Sequence, residues 1–419
     1  MKSLFPADVT SLRFACLLGA VISYALLGSP TPDAPGFAEI LVAVLLLVAA
    51  GVNGIYNALK PGRRQLLWEG AGRALLVYGF AVSLAVGVLR GHETGYILRD
   101  AVPFLFLLLP LFLHDIFTRR PQYRNFFLFA VAFAGVVFAL RAAPEITGWW
   151  NPGTYSGELY YFANAPSVLF AALLLAGFGA QKLVQHFSLK TFFLCAVCFT
   201  FALIPLSAMT LSLQRASVGV FLIGMIMLTL AGLYRSPVRT ILLLLVVAAA
   251  SIPALPFLSE MKEVLVRKTG AVGLNMRSEE LAAAWDEIST SPLSLLFGTG
   301  WGGTFESPAV AGIRVNYTHG LLSAMLLKTG LCGFLAGLAY LAGFAHILIR
   351  ALRRNTVVVI ALAGPIAIDV FLYASYKSLD FGLVLLLAAI LAPAAPGAAE
   401  VASPRRVLYS NLYTRMSYE

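Results

Sequence analysis

Three residues in this sequence have the chemistry of a reaction centre: Arg215, Arg277 and His319. Guanidinium groups stay charged at physiological pH and grip phosphate or carboxylate oxygens in pairs. Histidine accepts or gives a proton near neutral pH. Together such residues could hold an anion beside a general base. Each also has a plainer reading. Arg215 lies in Leu211-Ser-Leu-Gln-Arg-Ala-Ser-Val218, the whole connection between two apolar runs, and a salt bridge from another helix is the lesser alternative. Arg277 precedes what reads as a helix start, with Ser278 as cap and Glu279 and Glu280 in the first turn. A cation there opposes the helix dipole unless it faces an anion. The predicted apolar face of that helix is Leu281, Trp285 and Ile288. Alone, His319 reads as a cap; beside two arginines on one side of a membrane it reads as a base.

The elements that must position these residues are membrane spans. The chain has 419 residues, of which 59% are hydrophobic and 12% charged, against about 25% charged in a soluble domain. The apolar runs are continuous rather than alternating, which excludes an outer-membrane barrel and predicts an all-α polytopic membrane protein. Twelve spans are expected, at about 12–28, 37–59, 74–88, 97–117, 126–140, 165–183, 191–213, 217–234, 240–257, from 321 toward 350, 356–375 and 381–393. The first also serves as the targeting segment, because Asp8 interrupts any leader.

The net charge of +10 does not indicate nucleic acid, because most of it sits in short loops between spans. Clusters at Arg63 and Arg64, Arg119 to Arg124, Arg235 and Arg239, and Arg350 to Arg354 fall on alternate loops, which orients both termini inside. The domains follow: residues 1–257 hold nine spans, 258–320 a long outside loop, 321–395 three spans, and 396–419 an inside tail. A long loop without continuous secondary structure is usually functional, and this one is expected to cover the site. Its turn Gly298-Thr-Gly-Trp-Gly-Gly303 reads as a sharp reversal, not a nucleotide loop, since no Gly-Lys-Ser/Thr follows.

Some basic residues break the orientation rule: Arg90, Arg99, Arg141, Arg267, Lys268 and Arg314 fall outside, with Arg215 and Arg277. Snorkelling to headgroups explains Arg90 and Arg141 as well as a ligand would. Trp149, Trp150, Tyr155, Tyr160 and Tyr161, in the other outside loop, suit an interfacial belt. The outer acids Asp33, Glu93, Asp100, Glu145 and Glu158 form no Asp-x-Asp, so neither a metal nor a cofactor is expected. Cys195-Ala-Val-Cys198 has redox spacing but lies in a span, where packing is the expected role.

Several of these stretches resemble the O-antigen ligase/polymerase superfamily. They are Arg277-Ser-Glu-Glu-Leu-Ala-Ala-Ala-Trp285, Ser291-Pro-Leu293, Phe297-Gly-Thr-Gly-Trp-Gly302, His319-Gly-Leu-Leu-Ser323 and Gly330-Leu-Cys-Gly333, with Leu-Ser-Leu-Gln-Arg-Ala-Ser resembling the other arginine motif. The likeness spans about 207–333, and it departs from the family's His-Asn pair, because Gly320 follows His319. It implies a GT-C-like membrane glycosyltransferase at the outer face of the bacterial inner membrane. The donor would be a glycan on undecaprenyl diphosphate.

Within that superfamily, one sizeable outside loop and no extended C-terminal region point to the ligase, with lipid A–core oligosaccharide as acceptor. A polymerase and a protein O-oligosaccharyltransferase are the alternatives, and a lipid-linked glycan flippase is the alternative from another class. The resemblance implies Arg215 and Arg277 on the diphosphate and His319 as base, with metal-independent, inverting transfer. Arg141, Arg314, Tyr317, Asp369 and Asp380 are supporting candidates. The two aspartates could orient His319 or pair with an arginine.

Overall fold

The computed structural model describes residues 8–29, 36–60, 66–146, 158–252, 263, 266–267 and 276–392. In chain order the helices begin with α1 Val9–Leu27, α2 Phe37–Leu59, α3 Leu67–Leu89, α4 Thr94–Arg119, α5 Tyr123–Ile146, α6 Pro166–Gln185, α7 Leu189–Leu211 and α8 Arg215–Arg235. The shorter α9 is Pro237–Ser251. Next come α10 Arg277–Ser289, α11 Pro292–Phe297, a hairpin of β1 Phe305–Ser307 and β2 Ile313–Val315, then α12 Leu321–Ala351, α13 Thr356–Phe371 and α14 Leu379–Ile390.

Among the described residues, nine helices are long and apolar enough to cross a membrane: α1 to α8 and α12. This is an all-α polytopic membrane protein. The other three expected spans appear as the shorter apolar helices α9, α13 and α14, of 15, 16 and 12 residues. A helix needs about 20 residues to cross a hydrocarbon core of about 30 Å. No lipid contact is required of α14: all its residues are buried, packed among α4, α6, α12 and α13. A helix that is apolar all round belongs in such a position.

The edges differ from expectation in one informative place. α3 starts at Leu67, seven residues before the expected edge at 74, because Trp68 is buried against Phe344 of α12 with ring centroids 5.5 Å apart. Arg73 therefore lies within the helix rather than in the preceding loop, and its guanidinium donates to the Asn57 carbonyl at 3.1 and 3.2 Å.

The long loop holds the helix expected after Arg277 and more: residues 276–320 fold into α10, α11 and the hairpin. Lys262 and Lys268 lie outside the described residues, as do Trp149, Trp150, Tyr155 and the tail beyond 392.

The glycine turn does more than reverse the chain. Two spans are broken where it docks: α3 carries a π-helical segment, Gly79–Ser83, and α12 has Gly330 at φ +59. Breaks free backbone carbonyls, which cannot be left unpaired away from water. The turn supplies the donors. Thr299 and Gly300 N–H donate to the Leu327 and Lys328 carbonyls at 2.8 and 3.0 Å. Trp301 N–H donates to the Ser83 carbonyl at 3.0 Å, and the Trp301 indole N–H to the Gly79 carbonyl at 2.9 Å.

Gly298, Gly300 and Gly302 all have positive φ, and a Cβ at Gly300 would lie 2.4 Å from the Gly87 nitrogen. Gly300→Ala should therefore cost more than about 2 kcal/mol from strain and backbone displacement together. A thermal midpoint in detergent equal to wild type would show that the turn is not wedged in this way.

Candidate active site

Both arginines singled out in the sequence open a helix. Arg215 is the first residue of α8 and Arg277 the first of α10. Helix N-termini expose unpaired N–H groups and the positive end of the dipole, so each guanidinium adds charge where charge is already positive. The observed cap of α10 lies two residues before the expected Ser278. Met276 holds the N-cap position at φ +51 without a side-chain bond, and Ser278 donates instead to Glu279 at 2.9 Å.

Tyr373, in the segment between α13 and α14, lies within electrostatic reach of both arginines. Its hydroxyl is hydrogen-bonded by Ser217 and the Ala216 backbone at the start of α8, and it feels the charges of both Arg215 and Arg277. Burial raises its pKa above the ordinary tyrosine range, and those bonds and charges oppose the rise without cancelling it. Burial likewise pushes Arg277 down from the arginine range, opposed by Glu280, Tyr373 and Tyr317. The guanidinium remains charged at neutral pH all the same.

His319 is held by Glu280, which sequence reasoning treated only as an acid suited to a helix start. The Glu280 carboxylate accepts the His319 backbone N–H at 2.9 Å and the ring Nδ1–H at 2.9 Å. It also accepts the Ser307 hydroxyl at 3.0 Å, and the Arg277 guanidinium stands 3.9 Å away, beyond hydrogen-bond length. Burial raises the pKa of Glu280, but the His319 ring bond, the His319 N–H, the histidine charge and Ser307 outweigh it, and the net shift is downward. Glu280 is thus a carboxylate at neutral pH. A carboxylate only accepts, so the bond assigns the ring proton to Nδ1 and leaves Nε2 with its lone pair.

This arrangement corrects the predicted face of α10. Glu280, Ala284 and Ile288 are the buried positions, whereas Leu281 and Trp285 are exposed. Burying an acid is costly unless it is fully bonded, and Glu280 is. Leu281 and Trp285 turn outward, as apolar side chains do at a membrane interface.

The supporting candidates separate. The Tyr317 ring meets the His319 ring edge-on at 5.5 Å. Arg314 pins the hairpin: it donates to Glu287 at 3.0 Å and to Thr304, and it is half exposed. Arg141 caps α1, donating to the Ala25 and Gly28 carbonyls at 2.9 and 2.8 Å and stacking on Phe162. Arg90 donates to Ser294 at 2.8 Å and so ties α3 to α11.

Neither aspartate is bonded to His319 or to an arginine among the described residues. Asp369 accepts the Ser375 hydroxyl, and Asp380 accepts the Ser167 N–H at 2.6 Å, at the start of α6. Glu280 has the orienting part that the sequence reading offered to the aspartates.

What comes together is Arg277 and His319 around the Glu280 carboxylate, with Arg215 and Arg277 both acting electrostatically on Tyr373 and both opening helices. Chemically it can stabilise a polyanion and remove a proton from a neighbouring hydroxyl. No protein-family model matches the chain, and no curated protein matches it.

Proposed function

We propose that this chain is an O-antigen ligase, which transfers polysaccharide from undecaprenyl diphosphate to lipid A–core oligosaccharide at the outer face of the bacterial inner membrane. The observation that carries the proposal is the convergence of two helix-opening arginines on Tyr373, next to a histidine with its Nε2 lone pair available. Membrane lipids surround twelve spans with both termini inside, α9, α13 and α14 counted among them.

In the proposed reaction, His319 Nε2 takes the proton of the acceptor hydroxyl as its oxygen attacks the anomeric carbon. The bond from that carbon to the diphosphate oxygen breaks, and its electron pair leaves with the diphosphate. Arg215, Arg277 and the N–H groups of α8 and α10 meet the charge that develops there. Attack opposite the leaving group inverts the anomeric centre. Glu280 holds the imidazole in the productive tautomer and steadies the imidazolium that forms.

A polymerase would use the same centre with a different acceptor, so the test must separate the two. A flippase is less well supported: the breaks in α3 and α12, which a transporter would turn toward its cargo, are filled by residues 298–303. Purified protein in liposomes, given undecaprenyl diphosphate-linked glycan and lipid A–core, should yield the joined product equally with and without a chelator. Glycan lengthening without lipid A–core would mean polymerase, and lipid scrambling without joining would mean transport. Orientation has its own check: a cysteine introduced at position 311, in the hairpin, should react with an impermeant thiol reagent in intact spheroplasts.

A further inference from the structure

A second cluster of charge adjoins Tyr317. Asp100, buried in α4, accepts the Lys328 ammonium at 2.5 Å, the Gly302 N–H at 2.8 Å and the Lys377 ammonium at 3.2 Å. Lys328, itself buried in α12, also donates to the Gly303 carbonyl at 2.6 Å. Asp100, Lys328 and the glycine turn thus form a neutral unit with its bonds made. Lys377 adds a second ammonium and leaves the cluster one charge positive. Two ammoniums on one carboxylate repel, and water screens that repulsion poorly in a buried site. Asp100 stays paired without Lys377, so the fold does not require it.

The Lys377 side chain is 24% exposed, and its described hydrogen-bond acceptor is Asp100 alone. An ammonium has three N–H donors, so it has capacity for an outside anion. A small, mostly apolar cavity of about 50 Å³ adjoins the same group, lined by Phe104, Leu107, Leu321 and Met325 as well as by Lys328 and Lys377. Lys377 lies 6.0 Å from the Tyr317 ring centre, and the same ring is 5.5 Å from that of His319. The segment between α13 and α14 therefore carries Tyr373, near the two arginines, and Lys377, a further cation on the neighbour of His319.

We infer that Lys377 binds an acidic substituent, phosphate or carboxylate, on the acceptor saccharide and so helps to select the acceptor. The inference rests on the ligase reading. The arginines already match the charge of a leaving diphosphate; a further cation near the base suits a substrate that brings its own anion there.

Steady-state transfer in proteoliposomes tests it, with intact acceptor and with acceptor stripped of its acidic groups. Lys377→Gln should raise the acceptor KM at least about tenfold, the loss of one charge-assisted hydrogen bond, while kcat and the donor KM stay. Lys377→Arg should remain within a few-fold of wild type. Stripped acceptor should show the raised KM with wild type and no further rise with Lys377→Gln. The ligand-free thermal midpoint of Lys377→Gln should equal or exceed that of wild type, because a repulsive charge has gone.

An unchanged acceptor KM, or losses that simply add, would overturn the inference. So would a midpoint several degrees lower with kcat lost in parallel, which is the mark of a structural lysine. A KM effect seen only in bilayers of anionic lipid would assign Lys377 to a headgroup and equally overturn it. Wild type that joins no glycan at all would remove the ligase reading, and this inference with it.

Discussion

Replacing His319 with alanine is expected to slow glycan transfer by about 10²–10⁴-fold, the usual contribution of a positioned general base. Donor binding should survive, because it is assigned to the arginines. His319→Gln should not rescue: an amide can hydrogen-bond but cannot take the proton. If His319 only capped α12 or steadied the loop, the glutamine variant would keep most of the rate.

The contact with Glu280 sharpens this test. Glu280→Gln leaves the ring in place but replaces a carboxylate that accepts three hydrogen bonds with an amide that cannot accept both His319 N–H groups as well. The rate should fall at least about tenfold, and adding the change to His319→Ala should cost almost nothing more, since residues acting as a unit are not additive. Additive losses would mean that Glu280 supports the fold and not the histidine.

The pH dependence follows from the downward shift of Glu280. A depressed carboxylate contributes stability above its ordinary range, and the contribution is lost only as pH falls through the lowered value. Near neutral pH Glu280 therefore stays ionised. Glu280 itself thus adds no change of rate with pH near neutrality.

The second large effect concerns the arginines. Arg215→Ala and Arg277→Ala should each lower transfer at least about tenfold, given about 1.5–3 kcal/mol for a charge-assisted hydrogen bond, while the protein still inserts and keeps its thermal midpoint. Lysine should rescue in part, since a point charge cannot present a planar fork. The loss should appear in kcat/KM for the donor. Full activity of either alanine variant would remove that residue from the site.

Arg215 and Arg277 stood out in the sequence because each breaks a simple rule, and His319 only because it shares their side of the membrane. Outward arginines oppose the orientation bias, and a cation at a helix start opposes the dipole. Glu280 broke none. An acid in a first turn already has a sufficient explanation, and its partner lies 39 residues further on. Lys328 did carry a signal, a lone ammonium within the apolar run of α12, where charge is costly and usually functional.

Continuous apolar runs announced the spans, but not their lengths. α14 is short because protein surrounds it, and neighbours are what a single sequence does not display. The face of α10 was misjudged for a related reason. Apolar periodicity marks the side that avoids water, and next to a membrane that side need not be the one facing the protein.

The docking of the glycine turn between α3 and α12 has a consequence for biogenesis. Trp301 donates to the Ser83 carbonyl and adds a second donor to the Gly79 carbonyl, which already accepts the Leu84 N–H within the π-helical segment. Roughly 200 residues must be synthesised in between, which at about 5–20 residues per second takes on the order of 10–40 s. Throughout that time the ribosome has delivered the first spans, but the break in α3 is unsealed and His319 has not yet been made. A partly synthesised chain therefore lacks both His319 and the Trp301 donors to α3. Arg277, Trp301 and His319 are made close together, long after α3 and with most of α12 and all of α13 and α14 still to follow.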